Sequence, residues 1–141
     1  MTTALWLGLL LGEGLVTLDG SPFSWEAFAP AQPKVVVFWN SWVPQDPAFP
    51  TLVAELERRG LAAGLAGAIV IFQEPDGQKA ATVFGSGRWP RLLDRRGVLV
   101  RQFGLTQAPM VVLLGPRGEV EQTAGPDMEG LRRFVASLGQ P

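Results

Sequence analysis

Unbroken apolar runs and helical stripes alternate along this chain. Lys34–Trp39 and Ala68–Phe72 read as strands whose apolar residues continue with no polar alternation, the pattern of a sheet interior covered on both faces. Between them Phe49, Leu52, Val53 and Leu56 fall at i, i+3, i+4 and i+7, which sets one buried stripe on a helix. Glu55, Glu57, Arg58 and Arg59 lie mostly off that stripe, and Gly60 is the expected stop. Leu15–Leu18 predicts a short strand turning at Asp19–Gly20. Ser24 can cap a short helix over Glu26–Phe28, Pro30–Pro33 reads as a loop, and Asp76 can cap a helix over Gln78–Phe84. A brief strand at Arg91–Leu93 turns at Asp94–Gly97 and leads to an unassigned piece ending at Phe103. Met110–Leu114 and Glu119–Thr123 form a hairpin across Gly115–Gly118. Asp127 caps a last helix carrying Leu131, Phe134, Val135 and Leu138, and Gly139 ends it.

The resulting order is β-α-β-α-β-β-α with extra N-terminal strands. A helical crossover joins parallel strands, while the closing hairpin adds antiparallel ones. The expected architecture is one α/β domain over residues 1–141, with a mixed central sheet and helices on both faces.

Composition then narrows the chemistry sharply. The chain has no cysteine and no histidine, which removes disulfides, thiolate nucleophiles, the commonest general base and the commonest metal ligands. Acidic residues such as Glu13, Glu74, Asp76 and Asp94 form no recognisable metal loop, and Gly85-Ser86-Gly87 reads as a turn rather than a nucleophile elbow. No metal and no cofactor are expected. A net charge of −1 without a basic block gives no reason to expect nucleic acid. Arginine outnumbers lysine ten to two, a bias that fits a thermophilic source or a high-GC genome. The apolar run Ala4–Leu11 is too short to span a bilayer and lacks a preceding basic residue. It is expected to be an N-terminal strand, with a vestigial membrane anchor as the alternative. A membrane partner is not expected, and the expected compartment is the cytoplasm, with export or membrane association as the alternative.

The segment VVVFWNSWVPQDPAFP, Val35 to Pro50, resembles the active-site strand, turn and helix of the thioredoxin-like superfamily. LVTLDGSPFSWEAF and WPRLLDRRGVLVRQFGLTQAPMVVLLGPRGEV are similar to the introductory strand and the second half of its TlpA/ResA-like branch, near the peroxiredoxins. The resemblance covers about Leu15 to Leu138 and implies a thioredoxin-like three-layer fold. The family activity would be thiol–disulfide oxidoreduction, which requires a thiolate and a resolving thiol. Here Trp42 is followed by Val43, Pro44, Gln45 and Asp46. Val43 matches the nucleophilic cysteine, and either Gln45 or Asp46 matches the second, because Pro50 sits one residue closer than the family spacing.

The resemblance also implies a cis bond at Ala108–Pro109 and a groove where an extended peptide pairs with Gln107 and Ala108. Trp42, Val43 and Pro44 would form the opposing wall, with Gly125 nearby. Trp39 is expected in the core and Trp42 at the surface. The resulting expectation is a redox-inactive domain that binds an extended peptide or protein client. One alternative is a degenerate member working within a thiol–disulfide or antioxidant pathway. Another is an enzyme of a different class using Asp46, Gln45 or Ser41.

Overall fold

The structure is a computed structural model that describes residues 15–24, 31–42, 45–74 and 77–138. The Ala4–Leu11 run, the Glu26–Phe28 helix, the Asp76 cap and the Gly139 stop lie outside the described residues. So do Val43 and Pro44.

Among the described residues the sheet has six strands in the order β1-β4-β3-β2-β5-β6. The strands are β1 (Leu15–Thr17), β2 (Lys34–Trp39), β3 (Ala66–Phe72), β4 (Arg91–Asp94), β5 (Met110–Leu114) and β6 (Val120–Ala124). Helix α1 (Phe49–Ala62) connects β2 to a parallel β3, and α2 (Gln78–Phe84) connects β3 to a parallel β4. Strand β5 lies antiparallel on the other side of β2, and β6 closes the hairpin with a register shift at Leu113/Leu114. Strand β1 is antiparallel to β4 at the far edge. The strand expected at Arg91–Leu93 is β4, and the piece left unassigned before Phe103 is the short helix α3 (Val98–Gln102), which stands between β4 and β5.

The strand period of two divides the core. Val35, Val37, Trp39, Ile69, Ile71 and Val111 face a layer made by α1, α2 and α4 (Met128–Ser137), where Val53, Leu56, Leu131 and Phe134 are buried. Val36, Phe38, Val70, Phe72, Val112 and Leu114 face the opposite layer, built on α3 and the chain after it, with Leu99 and Phe103. Phe103 meets Phe38 edge-on at 5.8 Å. Apolar burial on both sides explains why β2 and β3 show no polar alternation. Helices therefore cover both faces, as expected; among the described residues three lie on one side and the short α3 on the other.

Two assignments on α1 need correction. Gly60 does not stop the helix. It lies inside α1, and Gly64, with φ of +78°, lies where the chain leaves it. Gly60 is required by space instead: a Cβ there would stand 2.6 Å from the Trp89 ring, and one on Gly67 of β3 would stand 2.4 Å from it. Trp89 is thus clamped between helix and sheet.

Glu57 is also buried rather than off the stripe. Its carboxylate accepts from the Arg88 and Trp89 backbone N–H groups and from Arg91 Nη1 at 3.2 Å. A charge is tolerated there because every neighbour is a donor. Asp94 behaves likewise at the end of β4. It is fully buried, and its two oxygens accept from Val98 N at 2.9 Å and Leu99 N at 2.8 Å, which starts α3. Asp127 caps α4 by accepting from Gly130 N at 2.8 Å, as its sequence position implied.

Gly60→Ala separates two opposing effects. Helix propensity alone favours alanine by about 1 kcal/mol, whereas overpacking a filled core costs about 1–3 kcal/mol. Because Trp89 is nearly sealed, net destabilisation is expected in a denaturant midpoint, and a stabilised variant would contradict this packing.

Lys34 gives a pH-dependent test. It is buried at the start of β2, its Nζ donates to the Gln32 carbonyl at 2.7 Å, and burial pushes its pKa below 10.5. The folded state thus releases this proton before the unfolded state does, so stability should rise with pH on approaching 10.5. With no tyrosine and no cysteine, few other groups titrate in that range. Lys34→Met should lack the rise in alkaline denaturation curves.

Candidate functional site

The carboxyl end of β2 delivers Trp39 and Asn40 into the turn that precedes α1. Trp39 is core, as expected, and its indole N–H donates to Gln45 Oε1 at 3.1 Å. Gln45 Nε2 in turn donates to the Asn40 carbonyl at 3.3 Å. One amide side chain therefore braces the turn from both ends. Asp46 is exposed, and its Oδ1 accepts from Ala48 N at 2.8 Å while its carbonyl accepts from Phe49 N at 2.9 Å. That is a local turn leading into a helix with proline in its first positions. Asp46 serves the helix start, and nothing about its surroundings makes it a base for a reaction.

Across from this turn, the Ala108–Pro109 peptide bond is cis, and so is Gly125–Pro126. Gly125 has φ of +106°, and a Cβ there would stand 2.5 Å from the Pro109 carbonyl oxygen. Only glycine lets the two proline loops approach this closely.

Among the described residues, those expected to line the groove are found in two recesses that adjoin Pro109 and Ala108 respectively. One, of about 60 Å³, brings Gln45 and Asp46 together with Trp39, Phe49, Pro109, Pro126 and Met128. The other, of about 290 Å³, brings Trp42 together with Gln107 and Ala108 over Phe72, Val100 and Leu105. Trp42 is 63% exposed and meets Phe72 edge-on with ring centroids 6.2 Å apart. Gly125 lines neither recess. It supports Pro109 from behind and borders a shallow depression between β6 and α4.

Two buried polar residues here were not singled out as site residues by the sequence. Glu74, just beyond β3, is buried and accepts from the Ser41 backbone N–H. Asn40 is fully buried, and neither its side-chain oxygen nor its nitrogen has a hydrogen-bond partner. Their only sequence signal is position, since each is a polar residue just past the end of one of two adjacent apolar strands. Among the described residues no cluster of three acidic, histidine or cysteine side chains could hold a metal. Two carboxyl groups are held below their ordinary range, and neither belongs to the turn. Asp19 is lowered by its hydrogen bond from Thr17, and Glu55 by its hydrogen bond from Arg59.

No protein-family profile matches the chain, and no curated protein matches it. Solved structures do. DsbF of MTB, seen in mixed oxidised and reduced forms, shares 25% identity at a TM-score of 0.70, over 92% of this chain and 96% of that one. A secreted Mycobacterium tuberculosis disulfide oxidoreductase homologous to E. coli DsbE shares 20% identity at a TM-score of 0.66, over 92% and 98% of the two chains. StoA from Bacillus subtilis shares 22% identity at a TM-score of 0.57, over 86% and 94%.

The fold is thioredoxin-like.

Its architecture is that of the thiol–disulfide oxidoreductases, and the sequence holds no cysteine with which to perform their exchange. Helix α1 keeps the position from which a helix start would stabilise a thiolate. In this thioredoxin-like chain the turn before it is occupied by Gln45 and Asp46 in bracing roles. Among the described residues no helix is long and apolar enough to cross a membrane.

Gln45→Ala tests the brace. It leaves the buried Trp39 N–H without its acceptor, which should cost about 1–3 kcal/mol. Equilibrium denaturation followed by tryptophan fluorescence reads that loss, and an unchanged midpoint would show the bond to be idle.

Proposed function

We propose that this chain is a redox-inactive, thioredoxin-like binding domain that holds an extended peptide or protein client beside Ala108–Pro109. The observation that carries the reading is Trp42, a large aromatic side chain exposed at the rim of an apolar recess whose far wall is Gln107–Ala108. Exposed aromatics over apolar recesses mark binding surfaces more often than stable bare surface. No turn or loop backbone hydrogen bond engages Gln107 or Ala108 among the described residues. Their N–H and C=O groups are therefore open to an extended chain, in the manner of strand addition. Phe72, Val100 and Leu105 give one client side chain an apolar floor, while Gln73, Arg101 and Thr106 supply a polar rim. The client needs no cysteine, because nothing in this chain can exchange with one.

The likeness to a secreted disulfide oxidoreductase supports a second reading. There the chain works in a thiol–disulfide pathway by holding the clients of an active relative. Both readings use the same recess and differ in the company the chain keeps. Co-purification of a disulfide oxidoreductase with the tagged chain favours the second, and its absence the first.

The direct test uses reduced, carboxymethylated insulin B chain as an extended probe that cannot form disulfides. Titration calorimetry should show binding, and Trp42→Ala should weaken it by about thirtyfold, the loss of a central aromatic anchor. Intact insulin should show no catalysed reduction. Unchanged binding in Trp42→Ala, or turnover of insulin disulfides, would overturn the proposal.

A further inference from the structure

On the opposite flank of the helical layer, α1 presents a second stripe. Pro50, Ala54, Glu57, Arg58 and Leu61 follow helical spacing along a face bordered by Phe84 and the Gly87–Arg91 stretch. The recess there holds about 560 Å³, against about 290 and 60 Å³ for the two beside Ala108–Pro109. That volume lies in the range of sites for small organic ligands. Its apolar lining comes from Pro50, Val53, Ala54, Leu61 and Phe84, and none of these is a residue of the peptide recess.

The charge around this recess is one-sided. Three arginines line it, Arg58, Arg88 and Arg91, with one acidic residue, Glu57. Glu57 is already committed to two backbone N–H groups and to Arg91. The Arg91 side chain is only 9% exposed, its Nη1 also donates to the Trp89 carbonyl at 2.7 Å, and its buried Nε has no partner. Arg88 is exposed and its side chain forms no ion pair among the described residues. Arg58 reaches Glu55 at 3.6 Å, but Arg59 holds the same carboxylate oxygen at 2.8 Å. Among the described residues Arg58, Arg59, Arg88 and Arg91 thus face only Glu55 and Glu57, so positive charge is in excess beside an apolar floor, with Arg88 unpaired and Arg58 loosely held, on a chain whose net charge is −1.

We infer that this recess is a second binding site, for an amphipathic anion with an unbranched apolar chain and a carboxylate or phosphate head. The chain lies along Pro50, Ala54 and Leu61, where it removes apolar surface from water. The head meets Arg58 and Arg88, whose planar donors suit either kind of oxyanion. A neutral chain of equal length gains only the first contribution, and a cationic head meets repulsion. The inference stands apart from the peptide recess, since it shares no residue with it.

The test titrates the full chain with decanoate, decyl phosphate and decanol by calorimetry. The two anions should bind at least about tenfold tighter than decanol, as expected for guanidinium–oxyanion contacts at a partly exposed site. Their rank between themselves identifies the head group the site prefers. The double variant Arg58→Gln, Arg88→Gln should lose that preference while its thermal midpoint stays within a degree or two, because both side chains are exposed. Ala54→Trp, at an exposed position on the floor, should weaken all three probes. Equal binding of decanol and the anions would overturn the inference. So would a preference that survives the double variant, or binding that Ala54→Trp leaves intact.

Discussion

Strand β2 is held from four directions, and the rest of the molecule is arranged by that fact. Its residues Lys34–Trp39 are all buried, laddered to parallel β3 on one side and antiparallel β5 on the other. Alternate side chains enter the two core layers, Val35, Val37 and Trp39 on the α1 side, Val36 and Phe38 on the α3 side. A strand fixed in this way has no freedom of register, because a slip of one residue would exchange both layers at once. The turn after it is consequently delivered to one place, facing the loops at Pro109 and Pro126. The position of the candidate site is thus a consequence of core packing.

Once positioned, the turn is braced by side chains that in a redox relative would have to leave room for sulfur chemistry. Gln45 ties the Trp39 indole to the Asn40 carbonyl, and Asp46 closes the first bend of α1. These are neutral or solvent-exposed hydrogen bonds of ordinary length, and they stabilise the turn without needing a perturbed group. The described residues there offer an exposed aromatic, Trp42, beside an apolar floor of Phe72, Val100 and Leu105.

The two proposed sites differ in physical kind. Beside Ala108–Pro109 the opportunity is directional, set by main-chain donors and acceptors. Along α1 it comes from an apolar stripe with more arginines than carboxylates, so its selectivity would rest on charge. A buried Glu57 ties these facts together. By drawing Arg91 and the amides of Arg88 and Trp89 inward, it shapes the Gly87–Arg91 stretch into a wall. At Gly87 a Cβ would stand 2.6 Å from Glu57 Oε1 and 2.7 Å from Arg91 Nη1, so that wall has no slack.

Periodicity alone determined a good deal. The unbroken apolar run of β2, the 3.6-residue stripes of α1 and α4 and the Asp127 cap are local patterns, each written in a few neighbouring residues, and the structure follows them. Composition by itself excluded thiol chemistry, because a missing atom type cannot be supplied by folding. Other features depend on residues far apart in the chain, and no local pattern reports them. Gly60 reads as a helix stop until Trp89 is seen filling the space where a Cβ would go. Glu57 reads as a surface acid until Arg88, Trp89 and Arg91 converge on it. Trp42 and Gln107 are distant in sequence, and only the tertiary structure places them on one recess over Phe72, Val100 and Leu105. Secondary structure here was settled by short-range sterics and hydrophobic spacing. The site was settled by long-range packing, which assigns each polar group its partner only after the chain has closed.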